Sequence, residues 1–325
     1  MAIKPFNAII PGMGVQMFGP PITQGQAWWV APYSGSDTAS GKRPNQPLKT
    51  LKAALSKATA NRNDVVYMFA ENNTGTYTTD YLTTYIDWNK DGVHLVGVNA
   101  GPMTGQRSRV AWKSTAATTT ATELFRVSAN NCYMANLEVF QGLASGTSML
   151  GGMNVTGARN RFFNCQISGM GHADNVIANA YSLALTGAEE NLFERCYIGL
   201  DTIPRATDTT SELRVLTAAT RNTFKDCTFS SMIGHATYNP YVYFYGATAI
   251  DRWIMFDNCK FINFATNYGF AQTYAFKYSA TPTQGATIVN GGMCMAGNWA
   301  ATGNHVYLSA PLINTAYTGG IGYVA

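Results

Sequence analysis

The chain has 325 residues, of which 46% are hydrophobic, 12% are aromatic and only 12% are charged. This content excludes a disordered chain, which needs low hydrophobicity and a high net charge. Lys and Arg number 22 against 18 Asp and Glu, and a formal net charge of +4 does not indicate the concentrated basic face of a nucleic-acid-binding protein. The 31 glycines, the aromatic residues and the abundant Thr and Asn favour strands and turns over helices.

Residues 1–28 fit neither a repeat of strands nor a helix, and we predict an extended N-terminal arm. Prolines and glycines interrupt the segment, so it lacks the apolar core of a secretory signal. No run of 18 apolar residues that could cross a membrane occurs in the chain. An irregular apolar segment is expected to bury its side chains on a partner; a flexible leader, or an arm packed on its own solenoid, is the alternative. The residues expected to contact the partner are Phe6, Ile9, Ile10, Met13, Val15, Met17, Phe18 and Ile22.

Residues 29–64 are predicted to form a start module. A turn-rich loop around Asp37 precedes a segment with helical spacing, whose apolar stripe is Leu48, Leu51, Ala54, Leu55 and Ala58. A short amphipathic helix at this place would cover the open apolar end of a repeat structure.

The segment 87–92 matches the first half of a calcium-binding loop. Asp87, Asn89 and Asp91 supply oxygen atoms at alternate positions before Gly92. The closing Glu is missing, because Val98 stands at position twelve. A turn that precedes a strand at 93–98 is therefore the favoured interpretation, and calcium stays a weak alternative. Further strands are expected at 109–112 and 124–128.

Six cysteines recur at intervals of 33, 31, 31, 32 and 35 residues, which is typical of a stacked repeat. They are Cys132, Cys165, Cys196, Cys227, Cys259 and Cys294. Single cysteines at such intervals lack the close spacing of zinc sites. We interpret them as a ladder of buried free thiols, which suits a protein assembled in a reducing cytoplasm.

A Phe stands three residues before four of these cysteines, and Ile or Phe stands two residues after them. The Phe residues are Phe162, Phe193, Phe224 and Phe256. A bend between Phe and Cys would let two short strands face one interior. The pattern predicts an all-β parallel solenoid over residues 65–300, closed by a segment at 301–325. Helical solenoids are disfavoured because amphipathic helical spacing is missing from the repeats.

The stretch 35–67, with Gly-Ser-Asp-Thr followed by Pro-Leu-x-Thr-Leu-x-x-Ala-Leu and Asp-Val-Val-Tyr, resembles the opening of pectate-lyase-like proteins. The Phe and Cys repeats are similar to the Asn-rich coils of that superfamily. The resemblance implies a right-handed parallel β-helix, and it is weak for function because one fold hosts many activities.

Glycosidases need two carboxylates roughly 5–9.5 Å apart. The pairs available are Glu138 with Asp201, and Asp174 with Asp208, whose offsets from the cysteines agree imperfectly. Lyases of related β-helices use an acidic calcium site with a basic residue, and no convincing trio of Asp residues occurs in successive repeats. Nucleophile elbows and P-loops are also absent from the sequence. We therefore predict no enzyme, no cofactor and no catalytic residue.

The leading hypothesis is a non-enzymatic virion protein of a tailed phage, because similar compact β-helices occur among virion proteins. It would decorate or cement the capsid exterior through its arm, as a homotrimer, with the major capsid protein and copies of itself as partners. The alternative is a tailspike-like polysaccharide depolymerase. The aromatic runs 238–245 and 268–278 could bind sugar, although packing between subunits is the favoured use. No nucleic acid or membrane is expected as a partner.

Overall fold

The computed structural model describes residues 25–71, 85–99, 101, 107–111, 121–143, 150–172, 177–205, 207, 209–235, 240–264, 270–291, 294–297, 299, 306–307 and 320–323. The predicted arm residues from Phe6 to Ile22, as well as Asp174 and Asp208, lie outside these ranges.

The described residues form one helix, α1 (Leu51–Lys57), and a succession of short strands. The first strands are β1 (Ala27–Val30), β2 (Val65–Phe69), β3 (Ile86–Trp88), β4 (His94–Val98), β5 (Ser108–Ala111), β6 (Glu123–Val127), β7 (Tyr133–Ala135), β8 (Leu137–Phe140), β9 (Gly151–Val155), β10 (Arg161–Phe163), β11 (Gln166–Ser168) and β12 (Tyr181–Thr186). The others are β13 (Leu192–Glu194), β14 (Tyr197–Gly199), β15 (Ser211–Leu216), β16 (Asn222–Lys225), β17 (Thr228–Ser231), β18 (Val242–Tyr245), β19 (Trp253–Asp257), β20 (Lys260–Asn263), β21 (Phe276–Tyr278), β22 (Ala286–Asn290), β23 (Cys294–Gly297), β24 (Val306–Tyr307) and β25 (Gly320–Tyr323).

The strands pair in parallel in three sheets. Sheet A has the order β1-β2-β4-β7-β10-β13-β16-β19-β22-β25, sheet B the order β3-β6-β9-β12-β15-β18-β21-β24, and sheet C the order β5-β8-β11-β14-β17-β20-β23. The chain visits A, C and B in turn and pairs each strand with its equivalent one coil earlier, as in β10, β11 and β12. This arrangement confirms the predicted parallel β-solenoid, and strands lie at all three of the expected additional positions.

Stacked side chains fill the interior. Phe162, Phe193, Phe224 and Phe256 are register partners in successive strands of sheet A. Their ring centroids lie 4.5, 4.7 and 5.2 Å apart, with interplanar angles of 5–10°. Sheet C contributes a second inner column, which consists of Val139, Ile167, Ile198, Phe229 and Phe261.

The prediction that all six cysteines form one ladder is wrong for two of them. Cys165, Cys196, Cys227 and Cys259 do stack at the bend between sheets A and C. Phe162 pairs with Met134, however, so Cys132 stands two residues before the Phe column, in register with Asn160. Cys294 pairs with Lys260 and therefore stands one residue beyond the column. Strand pairing sets the register, and loops of unequal length make sequence intervals an unreliable guide to it.

The predicted bend between Phe and Cys is a single left-handed residue. Asn164, Arg195, Asp226 and Asn258 occupy it in successive coils, with φ between 50° and 53°. Each thiol then reaches back to a carbonyl of the preceding coil; for example, Cys227 Sγ lies 3.3 Å from the Phe193 oxygen. The bend turns the chain sharply enough for both flanking strands to face the core.

A ladder of buried asparagines joins the coils where the chain turns from sheet B into sheet A. Asn160 donates to the Ala129 carbonyl, Asn191 to that of Gly157 and Asn222 to that of Ala188, at 2.9–3.0 Å. Each side-chain oxygen also accepts a backbone N–H from the coil before it. Buried turn backbone is thereby satisfied, which a packed interior requires.

The helix begins at Leu51 after Thr50, whose side chain accepts from Ala53 N. Asp37 accepts hydrogen bonds from the backbone N–H groups of Lys49 and Thr50 at 2.9 Å, which holds the start of the helix. All residues of the predicted apolar stripe belong to the main core. No helix of the described residues is long and apolar enough to cross a membrane.

Candidate functional site

Glu138, a candidate for an acid pair, forms ion pairs with two arginines. Its carboxylate is fully buried and accepts from Arg107 at 2.8 Å and from Arg109, the neighbouring residue in register. Asp201 follows β14, two coils from the strand of Glu138, which is about 10 Å along the axis before any lateral offset. The two carboxylates are therefore not brought together as a glycosidase pair.

A buried polar cluster lies at the corner between sheets C and B. The Arg205 guanidinium contacts the Glu212 carboxylate at 2.9 Å, and both side chains are fully buried. Ser182, one coil earlier, donates to the same carboxylate at 2.6 Å. Burial raises the pKa of Glu212, although Arg205 and the hydrogen bonds oppose that shift.

The cluster ties two loops to the sheets. Arg205 also donates to the carbonyls of Met170 and Ile203 at 3.2 Å, so it links the loops that follow β11 and β14. Gly199 makes room for the pair: its φ is +110°, and a Cβ there would lie 2.7 Å from Glu212 Oε2. The enclosed geometry favours a structural brace over a group that meets substrate.

A row of cationic and aromatic residues lies on the outer face of sheet B. Arg214, Tyr243 and Lys277 are register partners in β15, β18 and β21. The Arg214 guanidinium lies 4.5 Å from the centroid of the Tyr245 ring and 5.7 Å from that of Tyr243. Lys277 Nζ lies 5.5 Å from Tyr243. Such cation–π pairs hold the charges in fixed positions.

The aromatic run 238–245 therefore divides between interior and surface. Tyr241 is buried in the core, whereas Tyr245 is 50% exposed. In the second run, Tyr278 is buried against Phe244, with centroids 4.3 Å apart. Tyr238 and Tyr268 lie outside the described residues. Only part of each run is thus available to a sugar or a partner subunit.

In the segment 87–92, which was a candidate calcium-binding loop, the carboxylates accept hydrogen bonds from the next coil. Asp87 accepts from Ser128 Oγ at 2.6 Å, and Asp91 accepts from Asn130 N at 2.8 Å. Asn89 is exposed. No group of three His, Cys, Asp or Glu side chains that could hold a metal occurs within the described ranges. The segment leads into the turn before β4.

The shape of the molecule matches solved structures of polysaccharide-degrading enzymes. The structure of pectate lyase Pel9A aligns with a TM-score of 0.54 and 14% identity over 81% of this chain and 62% of that chain. A rhamnogalacturonan lyase aligns with a TM-score of 0.54 and 15% identity over 82% of this chain and 68% of that one. The chain is a right-handed parallel β-helix. At this identity the likeness shows the fold alone, and the chain spans less than two thirds of the pectate lyase.

No family model matches the sequence of this β-helix. No curated protein matches it either.

Sequence reasoning missed Asp64, which organises the start of the β-helix. Its buried carboxylate accepts from Gln26 N, Thr59 N, Trp28 Nε1 and the Arg62 guanidinium at 2.6–3.1 Å. Burial alone would raise the pKa of Asp64, but these hydrogen bonds outweigh it and lower the pKa to about 2. The only signal in the sequence was an acidic residue directly before a strand.

Proposed function

We propose that the protein is a non-enzymatic structural component of a tailed-phage particle. It would be a rigid β-helical rod that decorates or cements the exterior of the capsid through the arm at residues 1–28. Copies of the chain would associate as a homotrimer, with the major capsid protein as the other partner.

The observation that carries this proposal is the use of charged side chains as braces between coils. Glu138 is held by Arg107 and by Arg109 of β5, and Glu212 by Arg205 with Ser182 of the preceding coil. On the surface, Arg221 reaches back one coil to Glu190 at 2.8 Å. A removed partner would leave a buried charge uncompensated, so such braces hold the rod in one conformation. The phage assignment itself rests on the resemblance and on the apolar arm.

Co-sedimentation of the purified chain with empty capsids of the encoding phage tests this proposal. We expect saturable pelleting, and a loss of pelleting when Ile9, Ile10 and Phe18 are replaced by Ser. Lys225→Ser on the exposed side of sheet A is the control and should pellet like the wild type. A folded wild-type chain that stays in the supernatant would contradict the capsid role.

The second candidate is a polysaccharide depolymerase, favoured by Tyr245, a half-exposed ring that lies against Arg214 on the outer face of sheet B. Arg214, Tyr243 and Lys277 are buried, so Tyr245 is the ring of this row on which a sugar could stack. Incubation with capsular polysaccharide, followed by size-exclusion chromatography, tests it. Shortening of the polymer that is abolished by Asp201→Asn or another single carboxylate change would favour the depolymerase and overturn the structural proposal.

A further inference from the structure

The outer face of sheet A carries an apolar cluster that is separate from the core. Residues of β1, β2 and β4 alternate between the two faces: Trp28, Val66 and Leu95 point into the core, and their neighbours point outward. The outward cluster contains Trp29, Val65, Tyr67, Phe69, Val96 and Val98. The Trp29 ring stacks on Tyr67 at 4.7 Å and on Phe69 at 5.5 Å between centroids.

The cluster is confined to the first coils. Register places Trp29, Tyr67 and Val96 in one outward row, and the same row later carries Glu194, Lys225 and Asp257. Charged residues in those later coils suit solvent, whereas a contiguous aromatic patch on an outer face marks an interaction site.

These outward side chains are nearly as buried as the core. Trp29 is 7% exposed, Tyr67 5% and Val65 2%. The edge of β1 is already closed by the segment before the helix, because Trp29 N donates to the Gly41 carbonyl and Leu48 N to that of Trp29. The patch therefore calls for a covering layer above the face of the sheet and not for another strand at its edge.

His94 indicates which hydrogen-bonding group the covering layer must provide. It lies in the outward row beside Val65, and its Nδ1 accepts from Tyr133 N at 3.0 Å. The neutral ring then carries its proton on Nε2, which is buried and has no hydrogen-bond partner among the described residues. A buried donor left unpaired costs free energy, so the covering layer should present an oxygen acceptor.

We infer that residues 1–24 of the same chain cover this face, with apolar side chains on the Trp29 cluster and a backbone carbonyl on His94 Nε2. The described chain begins at Gly25, directly before β1, which is the first strand of sheet A. An extended segment of this length reaches up to about 80 Å, and three strands span only about 10 Å. Its large apolar residues, among them Ile9, Ile10 and Phe18, match the patch, and a segment rich in proline and glycine would keep carbonyls free to accept a hydrogen bond from His94.

This inference concerns the isolated protein and does not depend on the phage role; binding to a capsid through the same apolar residues would require the arm to leave the Trp29 cluster. Its readouts are made without capsids, so a failure here and a failure of capsid binding can be distinguished.

Hydroxyl-radical footprinting of the full-length protein, read by mass spectrometry, tests the inference. In the wild type, Trp29 and Tyr67 should be protected. Replacement of Ile9, Ile10 and Phe18 by Ser should increase their oxidation several-fold, while the core residue Trp88 stays protected and reports that the fold is intact. Protection that is unchanged in a folded variant would overturn the inference.

A matched pair of substitutions on the sheet provides a second test. Val96→Glu places a charge inside the cluster and should expose Trp29 and make the arm sensitive to protease. Lys225→Glu lies in the same outward row beyond the cluster and should change neither. If both variants exposed Trp29 and the arm to the same extent, the arm would not be bound at the Trp29 cluster, which would contradict the inference.

Light scattering distinguishes an arm that covers its own chain from an arm that covers a second copy of the chain. A molar mass that is the same for the wild type and the arm variant supports coverage by the same chain. A wild-type oligomer that dissociates when the arm is substituted would mean that the arm covers a second copy, and would overturn the inference as stated.

Discussion

Phe193 links three coils through one ring. It is fully buried and stacks on Phe162 on one side and Phe224 on the other. A buried Phe contributes roughly 1.5–3 kcal/mol through its apolar area, and well-placed ring pairs add about 0.5–1.5 kcal/mol. The column is therefore a main source of stability for sheet A.

We expect Phe193→Ala to lower the free energy of unfolding by about 3–5 kcal/mol, because it opens a cavity between two rings that cannot close up. Chemical denaturation measures this change. Phe264→Ala is the control: that side chain is 41% exposed, and its loss should cost less than about 1 kcal/mol. Equal losses for the two variants would contradict a stacked interior.

Asp64 couples the start of the β-helix to pH. Its pKa of about 2 lies below the ordinary value of 3.8, so the folded state binds this proton more weakly than the unfolded state. The resulting stabilisation, on the order of 2 kcal/mol, is present above pH 4 and is lost as the pH falls towards 2. Asp64→Asn should be less stable at pH 7 and should lose less stability between pH 4 and pH 2. Parallel stability curves for the two proteins would show that Asp64 does not carry the effect.

At the scale of the element, the bend between sheets A and C repeats one unusual backbone conformation. Asn and Asp tolerate a left-handed φ, but Arg195 adopts 53° as well. The ladder of free thiols beside this bend needs the sharp turn, because only then do both strands face inward. Arg195 is exposed, so its side chain adds little packing that would complicate a test.

Arg195→Val is expected to lower the free energy of unfolding by about 1–2 kcal/mol, since a branched side chain is poorly compatible with a left-handed residue. Arg195→Asn loses the same guanidinium but keeps a tolerant backbone, and should match or exceed the wild type. Thermal unfolding measures the stability of both variants. A Val variant as stable as the Asn variant would argue against a left-handed residue at this bend.

For the whole molecule, the interior excludes solvent from the thiols. Cys132, Cys165, Cys196, Cys227 and Cys259 are free and at most 2% exposed. Burial raises the pKa of Cys132 to about 12 and raises that of Cys165 and Cys227 as well. Thiolates are the reactive form, so the raised pKa makes Cys132, Cys165 and Cys227 poor nucleophiles. Burial also keeps reagents away from all five thiols as long as the β-helix is closed.

We expect iodoacetamide at pH 8 to leave these five cysteines unmodified in the native protein and to modify all of them in denaturant. Peptide mass spectrometry resolves each site. A reducing agent should not change the unfolding midpoint, because the five cysteines form no disulfide. Rapid native alkylation of Cys196, in the middle of the column, would contradict a closed interior.

The repeat of Phe162, Phe193 and Phe224 could be predicted from the sequence, because each coil has the same interior space to fill and a Phe fills it each time. Cys132 shows the limit of that argument. Its interval resembles the others, yet pairing of Met134 with Phe162 moves it to another column. The brace between Arg205 and Glu212 left no repeated signal, because Arg205 lies in the loop after β14 and Glu212 in β15, both outside the repeat of Phe and Cys.

The sequence by itself determined the stacked β architecture, the buried Phe and Ile columns and the capping helix, because these follow from local periodicity and from side chains that must leave water. Only the tertiary structure decided the register of the outer cysteines, the pairing of Glu138 with Arg107 and Arg109, and the apolar face around Trp29. Those features depend on which coil lies beside which, and strand pairing sets that relation across about thirty residues of chain.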